Sequence, residues 1–172
     1  MKRNTCVWIA PTVLILAAAF RALTLQGQTA DASDSPYNIR PAVTQEDLRI
    51  AQRAREILNS AANWNRAETR VCRVKLCKNG CPTKAKTFSL YCALQKATDE
   101  VTDNFEHRGA AMQEARFVID EIATNRKDFQ HRLQGYNNDP TTTFAEIQEV
   151  LRLLEDRTAK RLMEAASQNY NK

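Results

Sequence analysis

Glycine is scarce: four occur in 172 residues. That shortage excludes the glycine-rich loops that cradle nucleotide phosphates, which need several positions where backbone can approach a ligand with no Cβ in the way. Histidine is scarcer still, with His107 and His131 too far apart for a His-x-x-x-His metal pair. No Cys-x-x-Cys redox motif occurs, since Cys77-x3-Cys81 misses that spacing. No Ser, Cys or carboxylate stands in the local context of a known nucleophile motif. A long apolar run is also missing. The uncharged stretch from Val7 to Phe20 is interrupted by Pro11 and falls short of the ~18–20 residues of a membrane-spanning helix.

That stretch instead has the order of a secretory signal. Lys2 and Arg3 precede it, and Ala30-Asp31-Ala32 offers a small-residue cleavage site, with Leu25-Gln26-Gly27 as another. Cys6 lies ahead of the apolar run, the wrong side for a lipid anchor. Cleavage is expected, with a retained N-terminal anchor as the rival reading. The organisation that follows is a signal peptide at 1–32, a proline-containing tether at 33–43, a helical domain at 44–166 and a tail at 167–172. The expected location is secreted or periplasmic.

Export alters the charge balance. The chain carries 25 Lys and Arg against 20 Asp and Glu, and losing Lys2, Arg3 and Arg21, with no acidic residue before Asp31, leaves 22 against 20, or against 19 where Asp31 leaves with the leader. With charges of both signs mixed along the helices, no nucleic-acid partner is expected. The stretch from Arg66 to Lys86 is the exception, with four Lys and three Arg against one Glu. It suits either a solvated loop or an anionic surface such as the cell envelope.

About 140 mature residues suffice for a single domain with its own core. The apolar spacing predicts helices almost throughout. A first helix is expected from Thr44, a good N-cap followed by Glu46 and Asp47, to about Asn63-Trp64-Asn65. Its face would hold Leu48, Ala51, Arg55, Leu58 and Ala62, widened by Ile50, Ala54 and Ile57. A strand-like piece is expected at 70–76. A second helix spans about Thr87 to Asn104, and a third follows Gly109. A short helical turn around Phe129–Leu133 leads to the chain-reversing run from Gly135 to Pro140. The last helix opens with a Thr143/Glu146 capping box. The fold class is therefore all-α: a small four-helix bundle-like domain with a cysteine-rich loop between the first and second helices.

The four cysteines outside the leader, Cys72, Cys77, Cys81 and Cys92, all fall in that loop region. In an oxidising compartment such a set reads as disulfides. Three pairings are open. The favoured one is nested, with Cys77–Cys81 closing a tight turn and Cys72–Cys92 tying the loop to the second helix. Tetrahedral zinc on four thiolates is the alternative, although only one short pair of the usual spacing is present. No metal or other cofactor is expected.

Two polar clusters are candidate binding residues: Trp64, Asn65, Arg66 and Arg70 after the first helix, and Tyr136, Asn137, Asn138 and Asp139 before the last. Antiparallel packing would bring them to one end of the bundle, where an Arg–Asp pair between Trp and Tyr would line a cleft. Turn, capping and core-plug roles explain the same residues more simply. His107 and His131 read as surface or capping groups.

The run Phe88-Ser89-Leu90-Tyr91-Cys92-Ala93-Leu94 with Ala97 is one recognisable motif. Leu133-x-x-Tyr136-Asn137-Asn138, followed by Thr143 and the Val150-Leu151 helix, is another. Together they resemble an uncharacterised bacterial family of small helical domains, a domain of unknown function. That family has a Trp near the end of a first helix, a Cys-Ala-Leu-like segment opening the next, and an aromatic-Asn-Asp turn before a final helix. Trp64, Cys92 and Asn137-Asn138 are the matching positions, and the likeness runs roughly from Leu48 to Leu162. It implies a compact helical domain and no activity. The leader and the Cys72–Cys81 stretch depart from it. The expected function is an exported, non-catalytic module binding a protein partner or an anionic envelope surface. A small-molecule hydrolase working near Trp64 and Tyr136 is the alternative.

Overall fold

The computed structural model describes residues 39–68, 77–78, 80–126, 129 and 131–170. Five helices follow in order: α1 Gln45–Ile57, α2 Leu90–Thr102, α3 Ala110–Ile122, α4 Arg132–Asn138 and α5 Phe144–Tyr170. A 3₁₀ turn at Ala61–Asn63 follows α1, and a two-residue hairpin, β1 Cys77–Lys78 against β2 Cys81–Pro82, precedes α2. The fold is helical, as the apolar periodicity requires. The strand-like piece expected at 70–76 lies outside the described residues.

The α1 helix begins where its sequence provides a cap. The Asp47 side chain accepts from the Thr44 N–H at 2.9 Å, and Thr44 Oγ1 accepts from the Asp47 N–H at 3.3 Å. Asp47 does more than the local pattern foretells, because its other oxygen accepts from the backbone N–H of Ala111 at 3.0 Å. The α3 helix starts at Gly109, which has no side chain to cap with, so α1 supplies the missing acceptor. At the start of α2, Ser89 Oγ accepts from the Cys92 N–H at 3.1 Å. The helix stops at Asp103, whose φ of 55° is the left-handed conformation that a short polar side chain tolerates. The α5 cap is the expected one, with Thr143 Oγ1 accepting from Glu146 N and Glu146 accepting from Thr143 N.

The helices bury their stripes against one another. α1 packs on α2 and α5, α3 on α5, and the short α4 on α2 and α3. Leu58, Leu90, Leu94, Met112, Ile119, Leu151 and Leu154 form the centre. Trimming one of them to Ala costs about 2–5 kcal/mol in such cores. Besides Asp47, a second carboxylate is buried with them. Glu114 on α3, 1% exposed, meets Arg161 of α5 at 2.9 Å and Arg40 at 3.8 Å. Arg161 also donates to the carbonyl of Pro41, and Arg40 lies over the Phe117 ring, so the segment before α1 is strapped across α3 and α5.

Three expectations are corrected. The α1 helix ends at Ile57 rather than near Trp64, and its buried stripe is Ile50, Ala51, Ala54 and Ile57. Arg55 and Ala62 are exposed; Arg55 instead pairs with Glu155 of α5 at 2.9 Å. The run from Gly135 to Asn138 is not a turn but most of α4. Gly135 suits the close packing there, since a Cβ would stand 3.0 Å from Cβ of Phe129, a tight contact that the ring would have to yield to. Finally, the disulfide among the described residues is Cys81–Cys92, which excludes both bridges of the nested pairing. Gly80, with a φ of 85°, turns the hairpin so that Cys81 faces the first turn of α2. Tight-turn spacing favoured Cys77 as its partner, but cross-strand register sets Cys77 opposite Pro82 instead.

Candidate functional site

Asn137 is the centre of the polar end of the domain. Its side chain is wholly buried on α4. Its Oδ1 accepts from the Trp64 indole N–H at 2.8 Å and from the backbone N–H of Leu90 at 2.9 Å. Two donors on one atom identify that atom as the oxygen. The Nδ2 group donates to the Asn65 carbonyl at 3.0 Å and lies 2.9 Å from Asn138 Oδ1. One carboxamide thus joins three separate segments: the chain after α1, the start of α2, and α4.

Neighbouring groups extend the join. Asn65 N donates to Phe88 O at 2.9 Å and Phe88 N to Asn63 O at 2.8 Å, a parallel bridge of two extended segments. Asn138 treats Glu68 as a strand would, accepting from its N–H at 3.1 Å and donating to its carbonyl at 2.7 Å. The Trp64 ring leans on Phe144, centroids 6.0 Å apart, with the Arg66 guanidinium over it at 5.9 Å.

The candidates Trp64, Asn65, Arg66, Tyr136, Asn137, Asn138 and Asp139 therefore meet at one end of the bundle, while Arg70 lies outside the described residues. The Arg–Asp pair does not take the form anticipated. Arg66 donates to the backbone carbonyls of Asp139 and Pro140. The Asp139 carboxylate accepts from the N–H and hydroxyl of Thr141 at 2.7 and 2.5 Å, which holds it below the usual carboxylate range. Tyr136 is 1% exposed, edge-on to Phe129 at 5.9 Å and beneath Arg126. Burial, reinforced by nearby Glu146, pushes its phenol up to about 12, so it keeps its proton at neutral pH.

Glu68 links this end to the cysteines. One carboxylate oxygen lies 3.4 Å from Cys92 Sγ, and it shares a space within 4.8 Å with the sulfurs of Cys81 and Cys92. Joined in a disulfide, those sulfurs have no thiolate to offer a metal, and zinc on four cysteines loses two of its ligands. Cys72 and the side chain of Cys77 lie outside the described residues. Beside the bridge is a half-open cleft of about 230 Å³, smaller than the ~300 Å³ at which ligand pockets begin. Its charged walls are paired, Lys78 with Asp99 at 2.7 Å and Lys96 with Glu100 at 2.5 Å, while Gln95 donates to the Lys78 carbonyl at 2.7 Å and its Oε1 has no partner among the described residues.

A second cluster, which sequence reasoning did not assemble, lies across α2 and α3. Tyr91 Oη is 3.3 Å from His107 Nδ1, and Arg116 Nη2 is 3.2 Å from His107 Nε2. Arg116 also donates to the His107 carbonyl at 3.1 Å and to Gln113 Oε1 at 2.6 Å. Phe105 stands edge-on to both rings. Burial, with Arg116 and Arg108 nearby, holds His107 below its ordinary value. The available signal was the position of Tyr91, just before Cys92 in the α2 motif; nothing local joins it to Arg116.

Residues 42–157 match the family of unknown function DUF6197. This agrees with the likeness drawn from Trp64, Cys92 and Asn137-Asn138. Comparison with the curated proteins and with the solved structures finds no match.

Proposed function

The chain belongs to DUF6197, a family of unknown function, and we propose that it is an exported, non-catalytic helical domain that binds a protein partner or the cell envelope. The observation that carries the non-catalytic half is the state of Asn137. A catalytic amide presents its oxygen or nitrogen to substrate, whereas this one is buried and bonded to Trp64, Leu90 and Asn65 of its own chain. Tyr136, the other residue of the hydrolase alternative, is packed under Arg126 with a phenol that does not ionise near neutrality. The Cys81–Cys92 bridge supports export, because such bonds persist outside the reducing cytosol. The signal-like order of residues 1–32 supports it independently. No described helix is long and apolar enough to cross a membrane.

The test is the intact mass of protein recovered from outside the cytosol of its native host, with and without reduction. The expected species has lost the leader and gains two hydrogens per disulfide on reduction. A retained leader or thiols that are all free would remove the export reading. The hydrolase alternative would return if the purified domain turned over a panel of ester, amide and phosphoester substrates, and if a folded Asn138→Ala variant lost that turnover.

A further inference from the structure

We propose that Arg116, with the hydroxyl of Tyr91 beside the same imidazole, forms a binding site for an oxyanion, a phosphate or carboxylate group. The first argument is what Arg116 touches. Among the described residues its hydrogen bonds go to neutral acceptors alone: the Gln113 amide oxygen, the His107 ring and the His107 carbonyl. The charged side chains that raise the cost of its own charge are Arg132 and Arg108, both cationic. The other half-buried arginines of the domain behave differently. Arg126 meets Glu146, Arg132 meets Asp120, Arg157 meets Glu121 and Arg161 meets Glu114. A half-buried guanidinium with no carboxylate partner among the described residues bears a desolvation cost that they do not offset, in line with its depression to about 10. An external anion would supply the missing charge.

The second argument is how rigidly the cluster is held. A guanidinium can only donate, so His107 Nε2 must accept, which places the imidazole proton on Nδ1. That proton is then directed at Tyr91 Oη, 3.3 Å away. Tyr91 accepts it and keeps its own hydroxyl hydrogen to donate. The guanidinium has five N–H groups and makes three bonds among the described residues, which leaves donors on it that no described residue takes. His107 is exposed while Tyr91 and Arg116 are half-buried, so the cluster opens to solvent at its rim. Of the neighbouring acids, Asp120 is paired with Arg132 at 3.0 Å, and Glu68 approaches from the Tyr91 side.

This site rests on the binding-module reading for its use, and its test is separate from the test of that reading. The leaderless domain with its disulfide intact is titrated with inorganic phosphate and, in a second series, with acetate, both against chloride at matched ionic strength. Amide and arginine side-chain NMR shifts are followed. The expected result is saturable shifts centred on Tyr91, His107 and Arg116 in the wild type. Affinity should be at least about 10-fold weaker in Arg116→Gln and intermediate in Arg116→Lys, which keeps the charge but not the placement of donors. Tyr91→Phe, which preserves packing, should weaken binding by a few fold. Stronger response to phosphate assigns a phosphate group, and stronger response to acetate a carboxylate. No saturable shift at these residues with either anion overturns the site, as does an equal response in a folded Arg116→Gln variant. That failure would leave the export and partner-binding reading to be judged on its own measurement.

Discussion

Asn137 and Arg116 are both polar side chains set among aromatic rings, yet their surroundings complete one and leave the other open. The Asn137 amide is buried and bonded in every direction to backbone and indole groups of its own chain. Arg116 carries a charge, has only neutral hydrogen-bond acceptors among the described residues and stands near two more cations. A side chain whose hydrogen-bonding capacity is filled from within is an element of architecture. One whose charge is not balanced from within is where an outside group can contribute most. Burial alone would have ranked Asn137 as the functional residue.

The widest separation of the two regions should come from truncation. Asn137→Ala leaves the Leu90 N–H and the Trp64 indole without acceptors in a buried place, and should cost about 3 kcal/mol or more in urea unfolding. If the variant were near wild-type stability, the account of that end as a clamp would fail. Breaking the adjacent bridge with Cys81→Ser and Cys92→Ser together removes an eleven-residue linkage and should cost about 3 kcal/mol. Its loss should loosen the hairpin, read by amide exchange at Lys78 and Cys81. Gly135→Ala sharpens the same region, because the new methyl would press on Phe129. About 1–2 kcal/mol of destabilisation is expected in urea unfolding.

In the second region, Arg116→Gln should change stability by no more than about 1 kcal/mol, since three bonds to neutral acceptors are lost together with an unbalanced charge. A loss as large as that of Asn137→Ala would erase the distinction. The smallest effect is on pH dependence. His107 binds its proton less readily folded than unfolded. Its contribution to stability is therefore full above the unfolded value of about 6.5 and is lost as pH falls below that and through the lower folded value. The unfolding midpoint should drop on acidification from pH 7.5 to 5.5, and the drop should be shallower in His107→Gln.

Local chemistry made much of this legible in the sequence. Thr44, Gly109 and the Thr143/Glu146 pair mark three helix starts from residues within one turn of each other. What was missed depends on distance. The seven residues of α4 include glycine and two asparagines, poor helix formers that read as a turn. They are helical where Asn137 is anchored by Trp64 and Leu90, far along the chain, and Tyr136 is packed on Phe129 and Arg126. The disulfide partner of Cys92 depended on a hairpin register, and the Tyr91–His107–Arg116 contacts join three residues that share no periodic pattern. The clustering of Trp64 with Asn137 was legible as a consequence of antiparallel helices, but the role of Asn137 in it was not.

The clamp also bears on the order of events when the chain folds. Its bonds span 47 residues from Leu90 to Asn137 and 73 from Trp64 to Asn137. Helices form from near neighbours and fast, whereas contacts across such loops wait until intervening chain has been gathered in. The N-terminal half can make α1, α2 and the bridge between Cys81 and Cys92, but it holds no acceptor for the Leu90 N–H or the Trp64 indole until α4 arrives. Closure of that end is accordingly a late step, and a chain cut short of Asn137 keeps its helices' sequences while losing the atom that registers them against each other.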